Sequence, residues 1–235
     1  MNAVVTGSEG AIGRKLVEGL QMKGYHVVGI DKIPKTSKAD DYLLIDFSKP
    51  SINFGAINET IGQKLNLLVN NAAIQIVNDF EVLREADFEE TFRVNVQVPF
   101  LMIQKLMRPL EAVKGSVVNI GSIHSKLTKP KFSLYSASKG ALEAMTRALA
   151  VELGSRIRIN NINPAAIDTD MLKSGFNYDS EKIKELTKLH PVNRVGLPDD
   201  VLNAVIFLAS NKATFINGAT LELTGGIGAR LHDPS

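Results

Sequence analysis

The chain of 235 residues contains no cysteine, which excludes disulfides, thiolate catalysis and cysteine-bound zinc. Its net charge is only +2, and lysine and arginine are scattered, so the sequence has no basic stripe for nucleic acid. No apolar run is long enough to span a membrane. The first predicted strand begins at Asn2, which leaves no room for a signal peptide. We therefore expect a cytoplasmic protein with no metal site, whose partner is a small molecule rather than nucleic acid or a membrane.

The pattern of apolar residues predicts one α/β domain over residues 1–235, since no repeat, low-complexity segment or linker interrupts it. Short apolar runs predict strands at Asn2–Thr6, His26–Ile30, Tyr42–Ile45, Asn66–Asn70, Ser116–Ile120, Arg156–Asn161 and Ala219–Leu223. Helical patterns cover Ile12–Lys23, Asp87–Val98, Pro99–Val113, Ser133–Leu153 and Asp199–Ser210. Nearly continuous apolar strands are typical of parallel strands buried on both faces. The alternation predicts a Rossmann-type doubly wound parallel sheet of about seven strands with helices on both faces.

A glycine-rich turn follows the first strand, in the order Thr6, Gly7, Ser8, Glu9, Gly10, Ala11, Ile12 and Gly13. Such a turn lets the backbone approach a pyrophosphate at a helix N-terminus. Asp31 ends the second strand at the distance expected of a ribose-binding carboxylate. It would accept hydrogen bonds from the ribose hydroxyls and repel a 2′-phosphate, which favours NAD over NADP. Lys32 softens that preference.

Asp46 and Phe47 follow the third predicted strand and are further candidates for the cofactor site. The Asp46 carboxylate would accept a hydrogen bond from the adenine amino group. A helix cap or a solvent-exposed carboxylate is the alternative interpretation of Asp46.

Tyr135 and Lys139 are four residues apart within a predicted helix, with Ser122 upstream of them. Positions i and i+4 of a helix share one face. An ammonium beside a phenol favours the phenolate, so it lowers the phenol pKa from its ordinary value of about 10. A phenol tuned in this way acts as an acid or base near neutral pH. We expect Ser122 to orient a substrate and to stabilise charge developing on its oxygen.

These motifs, in this order, resemble those of the short-chain dehydrogenase/reductase family, in its short single-domain branch. The resemblance covers nearly the whole chain. It rests on the glycine turn, Asn70-Asn71-Ala72-Ala73, Asn95, Ser122, Tyr135 with Lys139, Asn163-Pro164-Ala165-Ala166-Ile167-Asp168-Thr169, and Leu223-Thr224-Gly225-Gly226. It implies an NAD(P)-dependent oxidoreductase that acts on CH–OH groups, and a homotetramer or homodimer formed through the helices Pro99–Val113 and Ser133–Leu153.

The resemblance also implies roles for individual residues. Catalysis would fall to Asn95, Ser122, Tyr135 and Lys139, with Lys139 also holding the nicotinamide ribose and Asn95 holding a helix kink and a water beside that lysine. Asn71 would steady the central strand, and Ala72 and Ala73 would approach the adenosine ribose. Pro164, Ile167 and Thr169 would adjoin the cofactor, the last two at the nicotinamide carboxamide.

Three alanines depart from the family's pattern, at Ala11, Ala73 and Ala165, where glycine is usual. Each adds one methyl group, so we expect small backbone adjustments rather than loss of the cofactor. With Gly10 present, the turn instead fits the spacing of nucleotide-sugar epimerases and dehydratases. That class is one alternative function; the others are an NADP-dependent reductase of 3-oxoacyl thioesters and a non-catalytic dinucleotide sensor.

The irregular segment 168–198 predicts a substrate lid with its own helix near Ser180–Leu189. Met171, Leu172, Phe176 and Tyr178 are candidates for an apolar wall of the substrate pocket or for the packing face of the lid. His124 lies two residues after Ser122 and is a candidate for contacting a polar or acidic substrate. The lysines at 126, 129 and 131 would attract an anionic substrate or simply face solvent. We expect a secondary alcohol or ketone as substrate.

Overall fold

The computed structural model describes residues 1–231 and contains one parallel sheet of seven strands. The strands are β1 (Asn2–Thr6), β2 (His26–Asp31), β3 (Asp41–Leu44), β4 (Leu67–Asn70), β5 (Ser116–Ile120), β6 (Arg158–Pro164) and β7 (Thr220–Leu223). Their order across the sheet is β3-β2-β1-β4-β5-β6-β7. The predicted Rossmann-type sheet is therefore confirmed. Because the chain leaves β1 in one direction and returns to β4 on the other side, a crevice opens at the carboxyl ends of these strands.

Helices cover both faces of the sheet. They are α1 (Ala11–Met22), α2 (Phe54–Ile61), α3 (Glu85–Phe92), α4 (Val98–Lys105), α5 (Met107–Glu111), α6 (Ser133–Leu153), α7 (Asp170–Gly175), α8 (Ser180–Leu189) and α9 (Pro198–Ala209). One core cluster joins α1 and α9 to the sheet. The other joins α2, α4 and the end of α6 to the opposite face. The two cores hold the strand ends, and the loops that follow them, in fixed positions.

Several elements differ from the sequence prediction, among them one helix, one strand and one interrupted helix. Helix α2 was not expected; it is short, and the Asn53 side chain caps it by accepting a hydrogen bond from the Ala56 N–H at 3.0 Å. Strand β6 begins later and extends to Pro164, because its asparagine-rich half pairs with both β5 and β7. The helix predicted over Pro99–Val113 is interrupted at Leu106, whose backbone leaves the helical region.

Candidate active site

A cavity of ≈ 660 Å³ opens at the carboxyl ends of the strands, a volume that is ordinary for a site binding a small molecule. Nearly all the residues proposed from the sequence line it: Gly7, Glu9, Gly10, Ala11, Ile12, Gly13, Asp31, Lys32, Asp46, Phe47, Asn71, Ala72, Ala73, Ser122, His124, Tyr135, Lys139, Pro164, Ile167, Thr169 and Met171. Ser8 and Asn95 do not line it, because they are fully buried behind the wall. The fold thus brings the cofactor candidates and the catalytic candidates into one cavity.

The glycine turn is closed so tightly that one of its glycines cannot carry a side chain. A Cβ on Gly13 would lie 1.9 Å from the carbonyl oxygen of Gly7, and Gly7 itself has a φ of +65°. At Gly10, by contrast, a Cβ would meet only the Gly7 oxygen at 3.6 Å, an ordinary contact. Ala11 begins α1 with its methyl group exposed. The turn therefore depends on Gly13 and tolerates alanine at position 11.

The side chain of Asn71 fastens this turn to β4. Its Nδ2 donates hydrogen bonds to the carbonyl oxygens of Thr6 and Gly7, both at 3.0 Å. The Thr6 hydroxyl in turn accepts from the backbone N–H groups of Asn71 and Ala72, each at 3.0 Å. Since these bonds join β1 to β4, they fix the crevice between the two strands.

Asp31 lies at the end of β2, and its carboxylate faces the glycine turn. One oxygen accepts the backbone N–H of Glu9 at 2.9 Å, and the other accepts the N–H of Lys32 at 2.7 Å. Glu9 is buried and accepts hydrogen bonds from Thr36 and Ser37 in the loop after β2. Burial raises the pKa of Glu9, but these hydrogen bonds outweigh it and leave the pKa below the usual value. Two carboxylates therefore stand at this end of the cavity.

Asp46 also lines the cavity while capping its own turn. Its Oδ1 accepts hydrogen bonds from the backbone N–H of Ser48 at 3.0 Å and from the Ser48 hydroxyl at 2.8 Å. These bonds lower the pKa of the Asp46 carboxyl. The capping role of Asp46 is therefore present, and its contact with an adenine amino group stays a prediction.

Ser122, Tyr135 and Lys139 form the opposite part of the wall, and all three are buried. Ser122 ends the segment after β5 and caps the turn that follows it, where its Oγ accepts the N–H of His124 at 3.2 Å. Tyr135 and Lys139 lie in the first turns of α6 on one face. The Lys139 ammonium donates to the carbonyl oxygen of Ile120 at 2.8 Å and lies 5.7 Å from the centre of the Tyr135 ring.

Burial has the largest effect on the pKa values of Tyr135 and Lys139. It raises the pKa of the Tyr135 phenol, although a hydrogen bond with Ser122 opposes the rise. It lowers the pKa of Lys139 to about 8. The sequence led us to expect a lowered phenol pKa from the neighbouring ammonium. In the structure that ammonium is bonded to Ile120 rather than to the phenol, so desolvation determines the direction.

Asn95 lies behind the wall in a π-helical turn at Arg93–Gln97, between α3 and α4. Its side chain accepts the N–H of Ile74 at 2.9 Å, donates to the Ile74 carbonyl at 2.9 Å, and donates to Ser138 Oγ at 3.0 Å. Ser138 donates to the carbonyl oxygen of Tyr135 at 2.8 Å. Asn95 therefore joins the segment after β4 to the helix that carries Tyr135 and Lys139.

A polar cluster behind Ser122 was not predicted from the sequence. Asn163 on β6 accepts the N–H of Ser122 at 3.1 Å and donates to Glu143 at 2.9 Å and to Ser125 at 2.8 Å. Arg147 pairs with the same Glu143 at 3.1 Å. The sequence signal was the glutamate four residues after Lys139, on the same face of α6. The cluster fixes the backbone that presents the Ser122 hydroxyl.

The end of the cavity near Tyr135 is aromatic. The rings of His124 and Phe132 stack with centres 4.5 Å apart, and the Tyr135 ring is nearly perpendicular to that of His124, with centres 5.7 Å apart. The pKa of His124 is lowered to about 4, chiefly by burial and also by the charge of Lys129. His124 is therefore neutral at physiological pH, so it can form hydrogen bonds but cannot supply a positive charge.

Residues 168–198 cover this end of the cavity with α7 and α8. The predicted helix Ser180–Leu189 is present as α8. Met171, Leu172 and Phe176 line the cavity, whereas Tyr178 is exposed and stands outside its wall. Leu186 and His190 also line the cavity, and the sequence analysis missed both because their spacing matches no motif.

Within residues 1–231, no three or more histidine, aspartate or glutamate side chains cluster closely enough to hold a metal ion. No helix in that range combines the length and apolar character needed to cross a membrane.

The chain is similar to known oxidoreductases over almost its entire length. A family model described as Enoyl-(Acyl carrier protein) reductase matches residues 7–228. Carbonyl reductase [NADPH] 2 of Sus scrofa is 30% identical over 239 residues, which cover 96% of each chain. The ligand-free structure of aldohexose dehydrogenase from Thermoplasma acidophilum superposes with a TM-score of 0.93 at 26% identity, covering 100% of this chain and 96% of the other.

A second solved structure extends the comparison to a complex. The structure of 4-hydroxyisoleucine dehydrogenase with NADH superposes with a TM-score of 0.89 at 26% identity, covering 98% of this chain and 99% of the other. The names of these relatives are those of reductases and dehydrogenases. This chain therefore belongs to the short-chain dehydrogenase/reductase family, in its single-domain form, and is an oxidoreductase of alcohol and carbonyl groups.

Proposed function

We propose that this protein transfers a hydride between NAD(H) and a secondary alcohol or ketone, with Tyr135 as the general acid and base. The observation that carries the proposal is the single cavity whose wall holds the glycine turn and Asp31 at one end and Ser122, Tyr135 and Lys139 at the other. Such an arrangement suits a reaction in which a bound dinucleotide and a carbonyl carbon meet beside a proton donor.

The residues at the first end fit a dinucleotide. Gly10 gives the N-terminus of α1 no side-chain cap, so backbone N–H groups there remain available to a pyrophosphate. Gly7 and Gly13 keep the turn free of side chains, and Asp31 offers acceptors to ribose hydroxyls. When bound, the nicotinamide supplies or accepts the hydride.

The residues at the second end handle the proton. Tyr135 keeps its phenolic proton at neutral pH because burial raises its pKa, and it donates that proton to the substrate oxygen during reduction. In oxidation Tyr135 acts in its phenolate form and accepts the proton of the alcohol. Ser122 holds the substrate oxygen by a hydrogen bond, and the Lys139 ammonium stabilises negative charge on the phenol. Asn95 positions α6 through Ser138.

NAD is the proposed cofactor in preference to NADP. The carboxylates of Asp31 and Glu9 would both repel a 2′-phosphate, and Asp31 is held in place by two backbone N–H groups. Lys32 and Arg14 also line this end and reduce the repulsion. The names of the relatives include both an NADPH enzyme and an NADH complex, so the preference rests on this chain's own carboxylates.

A reductase of 3-oxoacyl thioesters is the second candidate. The description of the matching family model, which names an acyl carrier protein, favours it. Turnover of an acyl thioester with NADPH at a higher kcat/KM than any simple ketone with NADH would replace the first proposal with this one.

Three further features belong to the proposal. Residues 168–198 act as the substrate lid, because α7 and α8 form the outer wall of the cavity. Homodimers or homotetramers form through α4, α5 and α6, where Phe100 and Val151 are exposed apolar side chains. A cytoplasmic location stays a prediction from the sequence.

The test separates cofactor binding from turnover. Wild-type protein and the variants Tyr135→Phe and Tyr25→Phe are titrated with NADH by fluorescence, and NADH oxidation is followed by absorbance with ketones, sugars, oxo acids and acyl thioesters. We expect Tyr135→Phe to bind NADH normally and to lose about 10²- to 10⁴-fold in kcat. Tyr25 does not line the cavity, so its variant should keep full activity. Equal turnover by Tyr135→Phe would contradict the proposal.

A further inference from the structure

The loop between β5 and α6 carries three lysines, which differ in their ion-pair partners. The ammonium of Lys126 lies 2.6 Å from a carboxylate oxygen of Glu222, and that of Lys131 lies 3.0 Å from Asp79. For Lys129, residues 1–231 provide no carboxylate oxygen within 4.0 Å. Lys129 is also the member of the three that lines the cavity. Two of these charges are thus neutralised outside the cavity, and the third remains available inside it.

The ammonium of Lys129 is held between two aromatic rings. It lies 4.7 Å from the centre of the Phe132 ring and 4.9 Å from that of Phe176. The surrounding side chains lower the pKa of Lys129 by partial burial, although the residue as a whole is exposed, so the ammonium loses part of its water without gaining a counter-charge. The faces of two rings compensate only part of that loss. An anion entering from the cavity would supply the rest.

The position of Lys129 relative to the proposed reacting groups is fixed by Phe132. The Phe132 ring contacts Lys129 on one side, stacks on His124, and lies edge-on to Tyr135 with ring centres 6.3 Å apart. One ring therefore separates the ammonium from the phenol that would contact the substrate oxygen. A molecule that reaches both groups needs an anionic end and a carbonyl or hydroxyl group a few bonds away.

The other charged groups at this end do not replace Lys129. His124 is neutral at physiological pH. The Lys139 ammonium already donates a hydrogen bond to the Ile120 carbonyl oxygen. Asp170 also lines the cavity, but it forms no ion pair with Lys129 in the described part of the chain. Lys129 is thus the cation placed to meet a substrate anion.

We propose that Lys129 binds a carboxylate of the substrate, so that the enzyme acts on oxo acids and the corresponding hydroxy acids rather than on neutral ketones and alcohols. The inference rests on the oxidoreductase function proposed above and names its substrate class. A carboxylate suits the site better than a multiply charged phosphate, because a single ammonium is available and the neighbouring side chains of Phe132 and Phe176 are apolar.

Matched substrates and matched lysines test this assignment. Straight-chain oxo acids that differ in carbonyl position are compared with their methyl esters, with NADH, for wild type, Lys129→Gln and Lys131→Gln. We expect wild type to prefer an acid over its ester and Lys129→Gln to lose about 10- to 100-fold in kcat/KM for that acid, mainly through KM. The ester should change by less than about twofold, within the few tenths of a kcal/mol of an uncoupled contact. Lys131→Gln should behave as wild type.

A binding measurement keeps the inference separate from the proposed function. Hexanoate and methyl hexanoate are titrated calorimetrically into the NADH-saturated protein and its two variants. Binding of hexanoate that Lys129→Gln weakens and Lys131→Gln does not would support the carboxylate site even if no oxo acid turned over, a result that would count against the proposed function alone. Wild type with equal kcat/KM for acid and ester, or hexanoate binding unaffected by Lys129→Gln, would overturn the inference.

Discussion

At the scale of single residues, burial and hydrogen-bond partners decide what each side chain can do. The sequence places Tyr135 and Lys139 on one helical face, but only the structure shows that the Lys139 ammonium is bonded to the Ile120 carbonyl. Likewise, the spacing that placed His124 near Ser122 could not show that burial lowers its pKa and leaves it neutral. Motifs therefore identify the groups, whereas their charge states depend on the environment that the fold creates.

The cofactor preference depends on the charge of Asp31. Replacing Asp31 by Asn keeps an acceptor for the Glu9 N–H while removing the negative charge that would face a 2′-phosphate. We expect the ratio of kcat/KM for NADPH to that for NADH to rise by about tenfold or more. Repulsion between the Asp31 carboxylate and the 2′-phosphate costs about 1 kcal/mol or more, and the variant removes it. Asp41→Asn is the matched control, because Asp41 does not line the cavity. An unchanged ratio in Asp31→Asn would show that other residues set the preference.

The buried imidazole of His124 should make folding sensitive to acid. Its pKa is about 4 in the folded chain against an ordinary value of 6.5, so between these values the unfolded chain binds more protons. The free energy of unfolding must therefore fall as the pH drops from 6.5 towards 4. In His124→Gln this fall should be shallower, as measured by urea unfolding across that pH range. Identical pH slopes for both proteins would show that His124 is not held neutral.

At the scale of elements, the sequence predicts what strong apolar patterns determine. The strands β1, β2, β4 and β5 were predicted almost to the residue because continuous apolar runs are required where a strand is buried on both faces. The extension of β6 to Pro164 was missed because its asparagines are satisfied by side-chain hydrogen bonds, such as that from Asn163 to Glu143. Tertiary partners stabilise that segment, and no local pattern reveals them.

The glycine turn also shows a difference between what the sequence pattern predicts and what the structure requires. The sequence suggested two alternative spacings, one of which depends on Gly10. The structure shows that a Cβ is excluded at Gly13, where it would lie 1.9 Å from the Gly7 oxygen, and is accommodated at Gly10, where the contact is 3.6 Å. The epimerase-like spacing is therefore not required by the shape of this turn.

Alanine substitutions at the two glycines test this account of the turn. Gly13→Ala must push the Gly7 backbone away, so we expect a loss of about 1–3 kcal/mol in the free energy of unfolding together with weaker NADH binding. Gly10→Ala should change stability by no more than about 0.5 kcal/mol. Thermal and urea unfolding of both variants provide the comparison. Equal losses in the two variants would mean that the turn relaxes freely at Gly13.

At the scale of the whole molecule, topology brings distant motifs together. The glycine turn follows β1, Ser122 follows β5 and Ile167 follows β6, yet all three border one cavity because parallel strands end at the same edge of the sheet. The family pattern predicted this arrangement. It could not predict that Leu186 and His190 line the cavity or which of three lysines does so, because connecting segments differ in sequence and their packing depends on the complete fold.

The central claim is that a hydride is transferred to a carbonyl carbon inside the cavity while Tyr135 supplies the proton. The most direct measurement uses NADH carrying deuterium at the transferred position of the nicotinamide, with mass spectrometry of the alcohol formed from an oxo acid. We predict deuterium on the carbinol carbon with the wild-type protein and no labelled product above background with Tyr135→Phe, although that variant still binds NADH. An unlabelled alcohol from the wild type, or equal labelled product from Tyr135→Phe, would contradict the account.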